Sequence, residues 1–85
     1  MQNTRTITGA DDIPKLGDVV VVSEHARLAQ KFVPGSVNII TRCQMIQPDR
    51  GTNHWYKVGA LDLEGKEYVQ IIDLNELIKH IRVVV

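Results

Sequence analysis

The sequence predicts a mainly β domain: a small antiparallel barrel of about five strands with one short helix near the C-terminus. Three observations carry that reading. Val19-Val20-Val21-Val22 is a run of four β-branched residues, which disfavours helix and suits a strand covered on both faces. Residues 37–46 alternate with a period of two, so a long strand carries a more apolar and a more polar side. Asp73-Leu74-Asn75-Glu76 sets an N-cap acceptor three residues before a glutamate and introduces Leu74, Leu77, Ile78 and Ile81 at helical spacing.

Taken in chain order, residues 1–16 form an arm with Ile7, Ile13 and Leu16 as its apolar anchors, and residues 17–85 form the barrel. Gly17-Asp18 opens the valine strand. Residues 23–32 are fair helix formers with Ser23 able to cap them, too few to hold a helix alone, so the segment is either a helical turn or an irregular loop, and Pro34-Gly35 ends it. In the long strand, Val37, Ile39, Thr41, Cys43 and Met45 are expected to face the core, with Asn38, Ile40, Arg42, Gln44 and Ile46 facing out. The turn formers from Pro48 to Asn53 predict an open, mobile loop. Trp55–Leu63 and Tyr68–Ile72 then make a hairpin around Glu64-Gly65-Lys66, and after the helix Arg82-Val83-Val84-Val85 adds a closing strand.

Length and composition bound the rest. Eighty-five residues allow one domain, and 44% hydrophobic residues suffice for a small core. Ten Lys and Arg balance ten Asp and Glu, so no overall field draws the chain to polyphosphate or anionic membrane. No apolar run is long enough to span a bilayer, and the polar residues 1–6 lack the apolar segment of a signal peptide. A single cysteine, Cys43, excludes an internal disulfide and fits a reducing compartment, so the expected location is cytoplasmic.

The element order resembles that of the SH3-like small barrels, the group that includes SH3, KOW and Tudor modules. Gly17-Asp18-Val19-Val20 is similar to their opening strand, residues 23–34 to the long first loop, Glu64-Gly65-Lys66 to the distal turn, and residues 73–78 to the helical turn before the closing strand. The ALYDY-type aromatic motif of peptide-binding SH3 domains and the aromatic cage of methyl-lysine readers are both missing, so neither ligand class carries over. Kinship with KOW modules would imply work in nucleic-acid complexes.

No chemistry-bearing constellation is legible. His25, His54 and His80 fall in different elements and form no metal-binding spacing with Cys43. Nucleophile and phosphate-loop motifs are lacking, and Asp11, Asp12, Asp62 and Glu64 sit where solvated carboxylates are commonplace. The expectation is a non-catalytic module with no cofactor and no metal.

Flexible backbone, cations and aromatics are concentrated in Arg50-Gly51-Thr52-Asn53-His54-Trp55-Tyr56-Lys57. Arg50, Asn53, His54, Trp55, Tyr56 and Lys57 are therefore the candidate binding residues, suited to anchoring a protein side chain or to stacking a base beside phosphate. The plainer reading is a loop entering a core strand, with one ring buried and the other exposed. Arg27 and Lys31, four apart, would share a helical face that Arg42 extends, unless they are simply solvated. A protein partner is expected first, RNA or single-stranded DNA second, with no membrane. The chain is read as a monomer, or as a homodimer through the C-terminal strand.

Overall fold

The computed structural model describes residues 3–26, 32–48 and 54–85. It is mainly β, one antiparallel sheet with a helix near the C-terminus, as the sequence predicts. In chain order the elements are β1 (Thr4–Thr6), a 3-10 turn (Ala10–Asp12), β2 (Val19–Val22), β3 (Val37–Pro48), β4 (His54–Leu61), β5 (Glu67–Asp73), α1 (Leu74–His80) and β6 (Ile81–Val84). The strands lie in the order β1-β6-β2-β3-β4-β5.

Five of these strands belong to residues 17–85, and the sixth comes from the arm. Thr4, Arg5 and Thr6 pair with Val84, Val83 and Arg82, and Ile7 drops into the core. Asp12 fixes the arm from below. Its carboxylate accepts hydrogen bonds from Thr8 N, Thr8 Oγ1 and Gly9 N at 2.8–3.0 Å, while Arg5 donates to its carbonyl at 3.0 Å. The bonds from Gly9 and Thr8, with Arg5 beside them, hold the Asp12 carboxyl below its ordinary range. Of the three expected anchors, Leu16 does not pack; it is 76% exposed.

β3 departs from simple alternation. Val20 and Val22 of β2 point inward, and Val20 lies opposite Asn38, so Asn38 and Ile40 are the buried residues of early β3, while Ile39 is exposed. The expected core face is therefore inverted at Val37 and Ile39. Ile40 pairs with Ala60 but Arg42 pairs with Gly59, so Thr41 is an extra residue that has no partner of its own in β4. Past it the parity changes: Cys43, opposite Val58, packs against the core as expected, whereas Met45, opposite Tyr56, is 43% exposed and does not join it. A second irregularity falls between Met45 and Gln47.

Opposite the bulge, Gly59 lets neighbouring strands come close. A Cβ there would stand 2.7 Å from Thr41 Oγ1 and 3.0 Å from Arg42 Cγ. Thr41 uses the gap to donate a hydrogen bond over β4 to Glu67 of β5.

The inner face is closed by Val20, Val22, Ile40, Val58, Ala60, Ile72, Leu77, Ile81 and Val83, with Phe32 and Ala26 brought in by the loop after β2. Between Val20, Ile40, Val58 and Ile81 there is no room for a water molecule. Asn38, buried among them, donates to Ser36 Oγ at 2.9 Å. The β4–β5 turn is held by Asp62, whose carboxylate accepts from Glu64 N and Lys66 N at 2.9 Å, with Gly65 at φ 83°. Asp73 caps α1 by accepting from Glu76 N at 2.8 Å.

β6 is paired on both sides, to β1 and to β2, which buries Val83 and half-buries Val84 within one chain, while Val85 beyond the strand is exposed. Dimerisation by strand addition at β6 would require β1 to leave. Among the described residues no helix is long and apolar enough to cross a membrane.

Gly59→Val should cost about 1–3 kcal/mol in urea denaturation, the range for an overpacked site. Part of that loss should return in Gly59→Val/Thr41→Ala, which removes the nearest contact. A Gly59→Val protein as stable as the parent would show that close approach of the strands is no constraint.

Candidate functional site

In β4, Trp55, Lys57 and Gly59 lie on the outer face, and Tyr56, Val58 and Ala60 on the inner one. The two adjacent aromatics therefore divide as alternation requires. Trp55 is 40% exposed and Tyr56 is fully buried. Tyr56 is thus corrected from candidate binding residue to core residue. His54 shares the inward parity of Tyr56; it is half-buried, with a buried Nδ1 that has no protein partner.

Register assembles the outer surface across three strands. Trp55 stands opposite Asp73, Lys57 between Gln44 and Ile71, and Gly59 between Arg42 and Val69. Because position 59 has no side chain, the Arg42 stem lies over it. Trp55, Lys57 and Arg42 are thus brought to one face. What the sequence reading missed is β5. Ile71 is 58% exposed and diagonal to Trp55, Val69 is half-buried, and Glu67 and Asp73 close the face with negative charge. Alternation in residues 67–73 was a signal for this row, since Glu67, Val69, Ile71 and Asp73 fall two apart.

The remaining candidates divide otherwise. Arg50 and Asn53, with residues 49–53 of the loop expected to be mobile, lie outside the described residues, as do Arg27 and Lys31 and with them residues 27–31 of the segment expected as a helical turn or an irregular loop. Beside them, Ser23 Oγ accepts from His25 N at 3.1 Å, and Ala26 and Phe32 are buried.

Two further features bear on chemistry. A surface groove of about 450 Å³ runs between residues 33–37 and 62–68, with Val33, Val37, Leu63 and Tyr68 as apolar walls. Lys66 Nζ stands 5.3 Å from the Tyr68 ring centroid. On the inner face, Cys43, Val58 and Gln70 lie side by side across β3, β4 and β5, and the buried Gln70 Oε1 and Tyr56 hydroxyl have no protein partner. Burial pushes the Cys43 thiol up to about 11. Burial also raises Tyr56, with Cys43 and Asp11 adding to it. This thiol is protonated at neutral pH, the opposite of a reactive cysteine. Among the described residues no group of three or more His, Cys, Asp and Glu is placed to hold a metal ion.

No family model, curated protein or solved structure matches this chain.

Because the buried thiol gives up its proton at about 11 in place of 9.0, the unfolded chain loses that proton first as pH rises. Stability is therefore whole below pH 9 and declines between about 9 and 11, and the raised Tyr56 acts in the same direction. Cys43→Ala should make that decline shallower, and Cys43→Ala/Tyr56→Phe shallower still, in thermal melts against pH. At pH 8 a thiol reagent should label the native protein at least tenfold more slowly than the urea-unfolded chain, since a shift of this size cuts the thiolate fraction roughly 100-fold.

Proposed function

We propose that this protein is a non-catalytic binding module on an SH3-like barrel, acting in the cytoplasm and engaging a protein partner through the outer face of β3, β4 and β5. The observation that carries this reading is the composition of that face. An exposed apolar centre, Trp55 with Ile71, is rimmed by charges of both signs, Arg42 and Lys57 on one side and Asp73 and Glu67 on the other. An aromatic anchor inside a polar rim suits a protein surface, and interspersed carboxylates disfavour a polyanion. The barrel kinship is supported by element order: an opening valine strand, a long loop, a β4–β5 turn, and a short helix leading into a closing strand. The single free thiol supports a reducing location.

One observation favours a second reading, binding of single-stranded nucleic acid. Trp55, Lys57 and Arg42 share a face, which would let a base stack while phosphates meet the cations. Asp73 directly opposite Trp55 counts against it.

Trp55 is the only tryptophan, so its fluorescence reports on this surface alone. With a single-stranded oligonucleotide at low salt the emission should stay unchanged; quenching that salt abolishes would establish the nucleic-acid reading instead. A partner captured by the parent protein should be held at least tenfold less well by Trp55→Ala, the loss of an interfacial anchor, with the melting temperature little changed. Full retention by Trp55→Ala would remove this face as the site.

A further inference from the structure

The two edges of the sheet differ. β1 is three residues long with Arg5 at its centre, a short and charged edge that discourages pairing. β5 is seven residues long, and its central five, Tyr68-Val69-Gln70-Ile71-Ile72, carry no charge, proline or bulge. Within those five residues the strand itself carries none of the devices that blunt an edge.

The ladder settles which backbone groups β5 leaves open. Asp62 N donates to Lys66 O at 3.0 Å, and the register continues unbroken through Leu61↔Glu67, Ala60↔Tyr68 and Val58↔Gln70. Hydrogen-bonded pairs alternate in an antiparallel ladder, so Tyr68, Gln70 and Ile72 bond to β4, while Glu67, Val69 and Ile71 turn N–H and C=O to the free edge. Among the described residues no backbone group bonds to them there. The same residues place their side chains on the outer face beside Trp55.

We infer that the β5 edge accepts an extended segment of a partner protein as a seventh, antiparallel strand, one whose outer-face residues are apolar at the centre and Lys or Arg at both ends. Charge assigns that occupant. Read two apart, the edge presents Glu67, Val69, Ile71 and Asp73: acid, apolar, apolar, acid. Cations opposite the carboxylates and β-branched residues opposite Val69 and Ile71 complete the cross-strand pairs. A second copy fits poorly in the register that pairs the whole strand, because centring two β5 strands on Gln70 sets Glu67 against Asp73 at both ends. Main-chain bonding gives this mode its affinity, and the flanking charges give it direction. The inference rests on the protein-partner reading and deepens it by fixing the partner's conformation and charge pattern.

The capped peptides KTVTVTK and ETVTVTE test it on the whole chain, by amide hydrogen exchange and Trp55 fluorescence. The basic peptide should bind at least tenfold more tightly than the acidic one and slow exchange at Val69 and Ile71. Ile71→Lys, at an exposed side chain, should weaken binding at least tenfold. Ile71→Pro removes a donor that β4 does not use and should act likewise. Equal binding of the two peptides, or of neither, overturns strand addition. So does protection confined to residues around Trp55, which leaves the Trp55 surface standing. A concentration-dependent dimer that protects the Val69 and Ile71 amides overturns it in favour of self-pairing, and the Trp55→Ala capture experiment judges the broader reading independently.

Discussion

The curl of this sheet depends on one extra residue in its longest strand. β3 has to pair with β2 by its first residues and with β4 along its length, and a regular strand would keep the same residues inward throughout. The bulge at Thr41 ends that regularity. It turns Asn38 and Ile40 inward before it and Cys43 after it, and it increases the local twist, so one strand lines two parts of the same core. Gly59 is the other half of the device. Without a side chain it admits the displaced Thr41 and the stem of Arg42, and the Thr41 hydroxyl ties the crowded spot to Glu67 across the intervening strand.

The candidate face inherits its layout from that crossing. Arg42 reaches over β4 because position 59 is open, which sets its charge on the face that also presents Trp55 and Lys57. β5 completes the face from the far side with Ile71 and two carboxylates. The core between Val20, Ile40, Val58 and Ile81 leaves no room for a water molecule, so this face is laid out over a tightly filled interior.

Much of this was legible in the sequence because it depends on neighbours in the chain. The valine run of β2, the Asp62–Lys66 turn and the Asp73 cap are each decided within a few residues, and each forms where the residue types demand. The division between Trp55 and Tyr56 follows from alternation alone, though which ring goes inward depends on register with Met45 and Ile72. Hidden features were the non-local ones. A bulge inverts the parity of every residue on one side of it, and nothing in the residues from Val37 to Met45 marks Thr41 as the extra one. The strand in the arm was hidden because Thr4-Arg5-Thr6 has no apolar pattern; its order comes from β6 and from the Asp12 carboxylate. The outer row of β5 is set by which of its two faces packs on the core, and that depends on register with β4 rather than on the residues of 67–73 themselves.

The double pairing of β6 bears on how fast the fold is reached and left. The β3–β4 and β4–β5 hairpins join segments close in sequence, whereas β6 aligns Ile81–Val84 with Val20–Val22 and Thr4–Thr6. Ordering so much intervening chain is entropically expensive, which makes docking of β6 the slow, late event of folding. Damage in β6 or β1 would then act mainly by hastening escape from the native state, while damage in the central hairpins would delay arrival.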